Sequence, residues 1–139
     1  VNVAQHEASF VTVDPKTMIA YSMDRFGGDA LLRYDVRKHW KPLPPVHMSQ
    51  FVDRVQGADI AAGAIWLSTD DDGNTLYRVS LARGRVEALG NAGHVDGEGE
   101  GIDATKIGTD RLHVLTVDVM ITPVWVGNLA VTGAGGKAT

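Results

Sequence analysis

The chain of 139 residues carries a formal charge of −4, is 44% apolar and 22% charged, and contains no cysteine. Scattered basic residues on an acidic chain exclude a phosphate-binding nucleic-acid surface, which needs a basic face. Without cysteine there are no disulfides or thiolate zinc sites, and no apolar run of about 18 residues could span a membrane as a helix.

In chain order, the start VNVAQHEASF shows neither Met nor a signal-peptide pattern, which points to a removed leader or a start inside a longer protein. Residues 1–5 alternate weakly, enough for a lone strand. Residues 9–13 are β-branched and aromatic, Asp14-Pro15-Lys16-Thr17 is a turn signal, and residues 18–23 make a second strand. Phe26-Gly27-Gly28-Asp29 turns the chain into a third strand at 31–36. The prolines of WKPLPP (40–45) cannot donate to a ladder, so this segment is expected at an edge or in a loop. HMSQFVDRV (47–55) reads as loop or a short helical turn. Strands follow at 58–61, 64–69, 76–81 and 85–89, with turns at Ala62-Gly63, Asp72-Gly73-Asn74 and Ala82-Arg83-Gly84. After the Gly-rich NAGHVDGEGEG come strands at 102–106, 112–117 and 124–129. No helical period persists for three turns, so almost no helix is expected.

These strands repeat. IAYSMDRFGGDALLRYDV, IWLSTDDDGNTLYRVSL and HVLTVDVMITPVWVGNL each place a hydroxyl residue two before an Asp, and Asp24, Asp70 and Asp118 lie 46 and 48 residues apart. A strand-and-turn repeat of this length is the signature of β-propeller blades. The predicted fold is all-β: about three four-stranded blades, half of a six-bladed ring, in a single half-domain over 1–139 (blades near 6–45, 46–91 and 92–139). A twisted open sandwich of about eleven strands is the alternative. Three blades leave edges exposed, so a homodimer or a complementary propeller half is the expected partner. The repeated hydroxyl and Asp are expected to satisfy backbone amides of the following turn.

Aligning the starts of the inner strands, HEASF, VQGAD and GEGID, sets Glu7, Gln56 and Glu100 in one column. Inner strands of a propeller line the channel, so this column predicts a polar mouth whose oxygens suit Ca²⁺ or Mg²⁺. Glu98 adds a carboxylate there, and His6 and His94 precede inner strands, close enough in sequence to act as bases on a bound ester or lactone. The plain alternatives are a water-filled polar channel and exposed loop histidines. Asp70-Asp71-Asp72-Gly73-Asn74 superficially resembles a calcium loop, but Ser68 stands at its first ligand position and Val79 where a bidentate Glu is required. No zinc spacing or G-x-S-x-G elbow occurs, and no catalytic residue is assigned.

The stretch VQGADIAAGAIWLSTDDDGNTLYRVSLARGRVEAL, with EGEGID and LHVL, resembles the six-bladed calcium-dependent propellers related to senescence marker protein and gluconolactonase. It is equally similar to esterase-like, phytase-like and NHL-type propellers, over most of residues 6–129. The resemblance implies a metal-binding Glu at the start of an inner strand, matched by Glu100 or Glu7. The nearest counterparts of the family's Asn and Asp ligands are Gln56 and Asp103. It also favours an extracytoplasmic location. The expected function is a binding module for a small molecule or partner at the channel mouth, with Glu7, Gln56 and Glu100 around a divalent cation. The alternatives are a metal-dependent lactonase or esterase, in which the ion polarises the carbonyl, and a purely structural assembly domain.

Overall fold

The computed structural model describes residues 5, 7–91, 97–105, 111–117 and 125–130. His6, His94 and Asp118, and the spare strand at 1–3, lie outside the described residues. The chain forms three antiparallel sheets. Sheet 1 holds β1 (Ala8–Asp14), β2 (Ile19–Asp24), β3 (Gly28–Asp35) and β4 (Lys41–Val52) in sequential order. Sheet 2 holds β5 (Val55–Ala61), β6 (Ala64–Thr69), β7 (Thr75–Ser80) and β8 (Val86–Asn91), also in order. Sheet 3 holds β9 (Glu98–Asp103), β10 (Arg111–Val117) and β11 (Trp125–Ala130). Among the described residues the one helical element is a 3₁₀ turn, Val36–Lys38, capped by the Asp35 carboxylate accepting from the Arg37 amide at 3.1 Å.

Local chemistry explains most boundaries. The Asp14 carboxylate accepts from the Lys16 amide and the Thr17 hydroxyl, at 2.9 and 2.8 Å, and closes the β1–β2 hairpin. Ala62 and Gly63 both take positive φ, 51° and 73°, as a tight two-residue hairpin requires. The proline segment lies on β4, at the edge of sheet 1, as its missing donors dictate. Two expectations need correction. HMSQFVDRV is not loop or helix: β4 runs on to Val52, because Met48 and Val52 bury their side chains against sheet 2. The first strand of sheet 3 begins at Glu98, not residue 102. Gly and Glu are poor strand formers, but a Cβ on Gly99 would sit 2.3 Å from the Thr69 carbonyl oxygen, so close packing on sheet 2 overrides propensity there.

Two apolar layers join the sheets. Tyr21, Met23, Leu31, Met48 and Val52 of sheet 1 meet Val55, Ile65, Leu67, Val79 and Val86 of sheet 2. Trp66 and Leu76 on the other face of sheet 2 meet Leu112, Val114 and Ala104 of sheet 3 and its edge. The first strands β1, β5 and β9 stand side by side, β5 between the other two.

The pairing registers give a finer correspondence between the three sheets than residue identity does. Each first strand carries one extra residue against its neighbour: between Ala8 and Val11 in β1, at Gln56 in β5, and at Glu100 in β9. Counting from these bulges makes Tyr21, Trp66 and His113 equivalent, and likewise Met23, Ser68 and Leu115. An arginine lies over the aromatic ring at the matching place in the first two sheets, Arg33 on Tyr21 at 5.9 Å and Arg78 on Trp66 at 5.8 Å. Ser22 and Ser68 are therefore offset by one position, and neither hydroxyl caps a turn. Ser22 donates to the Phe10 carbonyl at 2.7 Å, and Ser68 donates across to the Glu100 carbonyl in sheet 3 at 3.2 Å.

Candidate functional site

Where β1, β5 and β9 begin, the structure forms an open cavity of about 420 Å³ lined by Glu7, Ala8, Ser9, Arg25, Gln56, Glu98 and Glu100. All three members of the inner-strand column reach it, together with Glu98. Gln56 and Glu100 do so because they are the bulge residues of their strands, where the ladder is broken and a side chain is re-aimed. At the corresponding place in β1 stands Ser9, whose hydroxyl donates to the Val55 carbonyl. Glu7 lies two residues earlier and matches Arg54: the Arg25 amide donates to the Glu7 carbonyl at 3.1 Å, as the Asp70 amide donates to the Arg54 carbonyl at 2.9 Å.

The site is more mixed in charge than a ring of oxygen ligands. Burial pushes the Glu100 carboxyl up, and the charges of Glu98 and Asp70 push it further, against a partial opposing pull from Arg25. Among the described residues no three His, Cys, Asp or Glu side chains come together as a metal-holding group. The cavity gathers Glu7, Gln56 and Glu100 without closing them into such a set. Asp103 falls elsewhere. It sits at the far end of β9, where Oδ2 meets His113 Nδ1 at 3.3 Å and Oδ1 accepts from the Thr105 amide at 2.8 Å. The Thr105 bonds, then His113, hold its carboxyl below the usual range. Arg25 and Ser9 were not singled out in the sequence. The place of Arg25 matches Asp70 only once the bulges in β1 and β5 are known.

The acidic turn is structural. Burial would raise the Asp71 carboxyl, but amide and hydroxyl donors outweigh it and hold it low. Its Oδ1 accepts from the Gly73 and Thr75 amides at 3.1 and 2.9 Å, and its Oδ2 accepts from the Tyr77 hydroxyl at 3.1 Å. Asp72 pairs with Arg54 at 2.6 Å. With its lone pairs turned to protein donors, Asp71 is a turn organiser, the role expected of Asp70 one position earlier. In sheet 1 Asp24 does serve its turn, accepting from the Phe26 amide at 3.3 Å.

The chain matches no family model, and no curated protein matches it significantly. No helix among the described residues is long and apolar enough to cross a membrane.

Proposed function

We propose that the three sheets are blades of a propeller-type half-ring, and that the mouth formed by their first strands binds a small polar ligand rich in hydrogen-bond donors. One observation carries the reading: side chains from the start of every sheet, Glu7 and Ser9, Gln56, and Glu98 and Glu100, line a single cavity. A concave site with a few convergent polar groups is where ligands bind. The carboxylates offer acceptors to an ammonium or to hydroxyls, while Arg25 and the Gln56 amide supply donors for an acceptor on the same molecule. An amino sugar or a polyol has this chemistry. Thermal unfolding with glucosamine, sorbitol or neither tests the reading. Glucosamine is expected to raise the melting temperature in the wild type and not in Glu100→Gln. Identical unfolding in all three solutions overturns it.

A second reading, a divalent cation at the mouth, is favoured by the carboxylates themselves: Glu100 is raised first by burial and then by the charges of Glu98 and Asp70, and that repulsion falls when a cation enters. A bound ion stabilises by roughly 2.7 kcal/mol at a hundredfold excess over its dissociation constant. Unfolding that is the same in chelator as in millimolar calcium or magnesium rejects the ion, and with it the electrophile for lactone or ester hydrolysis.

A further inference from the structure

In sheet 1 the turn joining β2 to β3 and the end of β4 both stand at the end where β1 begins, because the strands alternate in direction. That is the end of the sheet that opens on the mouth. Each of these two places carries an exposed phenylalanine: Phe26 and Phe51 are both 60% exposed. The turn fixes the first. The Gly27 amide donates to the Asp24 carbonyl at 3.1 Å, and the Phe26 amide donates to the Asp24 carboxylate at 3.3 Å. The ladder fixes the second. Val52, paired with Gly28, is fully buried, so alternation along β4 turns Phe51 outward.

The two rings come to one corner of the sheet. A Cβ on Gly27 would lie 2.7 Å from two ring atoms of Phe51, so that ring rests against the turn backbone, one residue from Phe26. Gly27 takes φ +96° there, and glycine serves both the turn and the approach of the ring. The Arg25 guanidinium lies 5.9 Å from the centre of the Phe26 ring, and Arg25 also lines the mouth. The polar cavity therefore continues through Arg25 into an aromatic rim. A lone exposed phenylalanine needs no explanation. Two at one corner, continuous with a polar cavity, extend the site.

We propose that Phe26 and Phe51 form a stacking platform for a second ring of the ligand, which is a β-linked oligosaccharide of amino sugars rather than a single sugar. A pyranose with equatorial substituents presents flat faces of C–H bonds, weakly positive, which match the negative face of a phenyl ring. Its ammonium and hydroxyls require the groups found inside the mouth, Glu98 and Glu100 as acceptors and Arg25 and Gln56 as donors. The phenyl rings offer neither donor nor acceptor, so they suit a unit whose polar edge stays in water. The proposal rests on the reading of the mouth as an amino-sugar site and adds to it the length of the ligand.

Calorimetric titration with glucosamine and with its β-linked disaccharide tests the platform. The disaccharide is expected to bind the wild type about tenfold more tightly than glucosamine, the order of one stacked ring. Phe51 does not line the mouth. Phe51→Ala should therefore remove most of that preference and leave glucosamine binding unchanged, with strand content preserved by circular dichroism. Phe26→Ala should also remove the preference. Equal affinities for the two sugars in the wild type overturn the platform, and so does a preference that survives both substitutions. In either case glucosamine still binds and the reading of the mouth stands. If neither sugar binds, the reading of the mouth fails and the platform fails with it.

Discussion

β6 and β10 are the second strands of neighbouring sheets, yet all six residues of β6 are buried while β10 alternates between buried and half-exposed. β6 has a sheet on each side: Ile65 and Leu67 point into one apolar layer and Trp66 into the other. β10 turns Leu112 and Val114 into the second layer and leaves His113 and Leu115 beside an open hollow. The lesson is that a strand's burial pattern counts its covered faces. A continuous apolar run marks two, and alternation marks one.

Trp66 and His113 occupy equivalent places on that scheme, which makes them the sharpest way to break the comparison. Trp66 is 4% exposed and its indole donates to the Ala61 carbonyl at 3.3 Å. Trp66→Ala should cost about 3–5 kcal/mol, because the cavity opens between two sheets that cannot collapse independently. His113→Ala should cost no more than about 0.5 kcal/mol, the scale of a solvent-exposed pair. Urea denaturation of both variants measures the difference. Equal losses would mean that the outer face of sheet 3 is as closed as the inner one.

Much of this architecture is visible in the sequence. β6 falls at residues 64–69 as its apolar run indicates, the two-residue Ala62-Gly63 turn lies where a hairpin needs it, and the prolines mark an edge. The inner-strand column also leads to the cavity, since Glu7, Gln56 and Glu100 all line it. What the sequence hides is the bulge. Aligning Ser22 with Ser68 is natural from residue identity, but one extra residue in each first strand makes Met23 the true counterpart of Ser68. Arg25 is hidden for the same reason. The start of β9 is hidden because Gly99 is selected by the approach of the Thr69 backbone rather than by strand propensity.

The acidic turn between β6 and β7 gives the next largest effect, since it is what orients Thr75 at the head of β7. Asp71→Ala removes an ionised acceptor from two amides and the Tyr77 hydroxyl, and should cost about 1.5–3 kcal/mol at neutral pH. Because the folded state holds the Asp71 carboxyl below its ordinary value of 3.8, its contribution is present above that value. It is lost as pH falls through the lower folded value. Wild type and variant should therefore converge in stability at strongly acidic pH. A gap that stays constant from neutral pH down would show that the carboxylate charge is not what holds the turn.

Glu100 should behave in the opposite sense, with the smallest effect. Burial and its acidic neighbours raise its folded carboxyl above the ordinary value of 4.5, so the native state holds this proton more tightly than the unfolded chain does. The resulting stabilisation is full below about the ordinary value and is lost as pH rises through the raised folded value. At neutral pH the raised Glu100 carboxyl is thus a small liability, and Glu100→Gln should stabilise the chain. Solvent reaches the cavity and screens the charges, which keeps the gain to about 0.5 kcal/mol. The gain should shrink towards zero as the pH falls well below the ordinary value of 4.5, where the wild-type carboxyl is protonated in both states. Unfolding at several pH values without ligand or divalent ion checks this. A Glu100→Gln chain less stable than wild type at neutral pH would mean that the carboxylate is held there by a favourable partner, and that Arg25 outweighs Glu98 and Asp70 at the mouth.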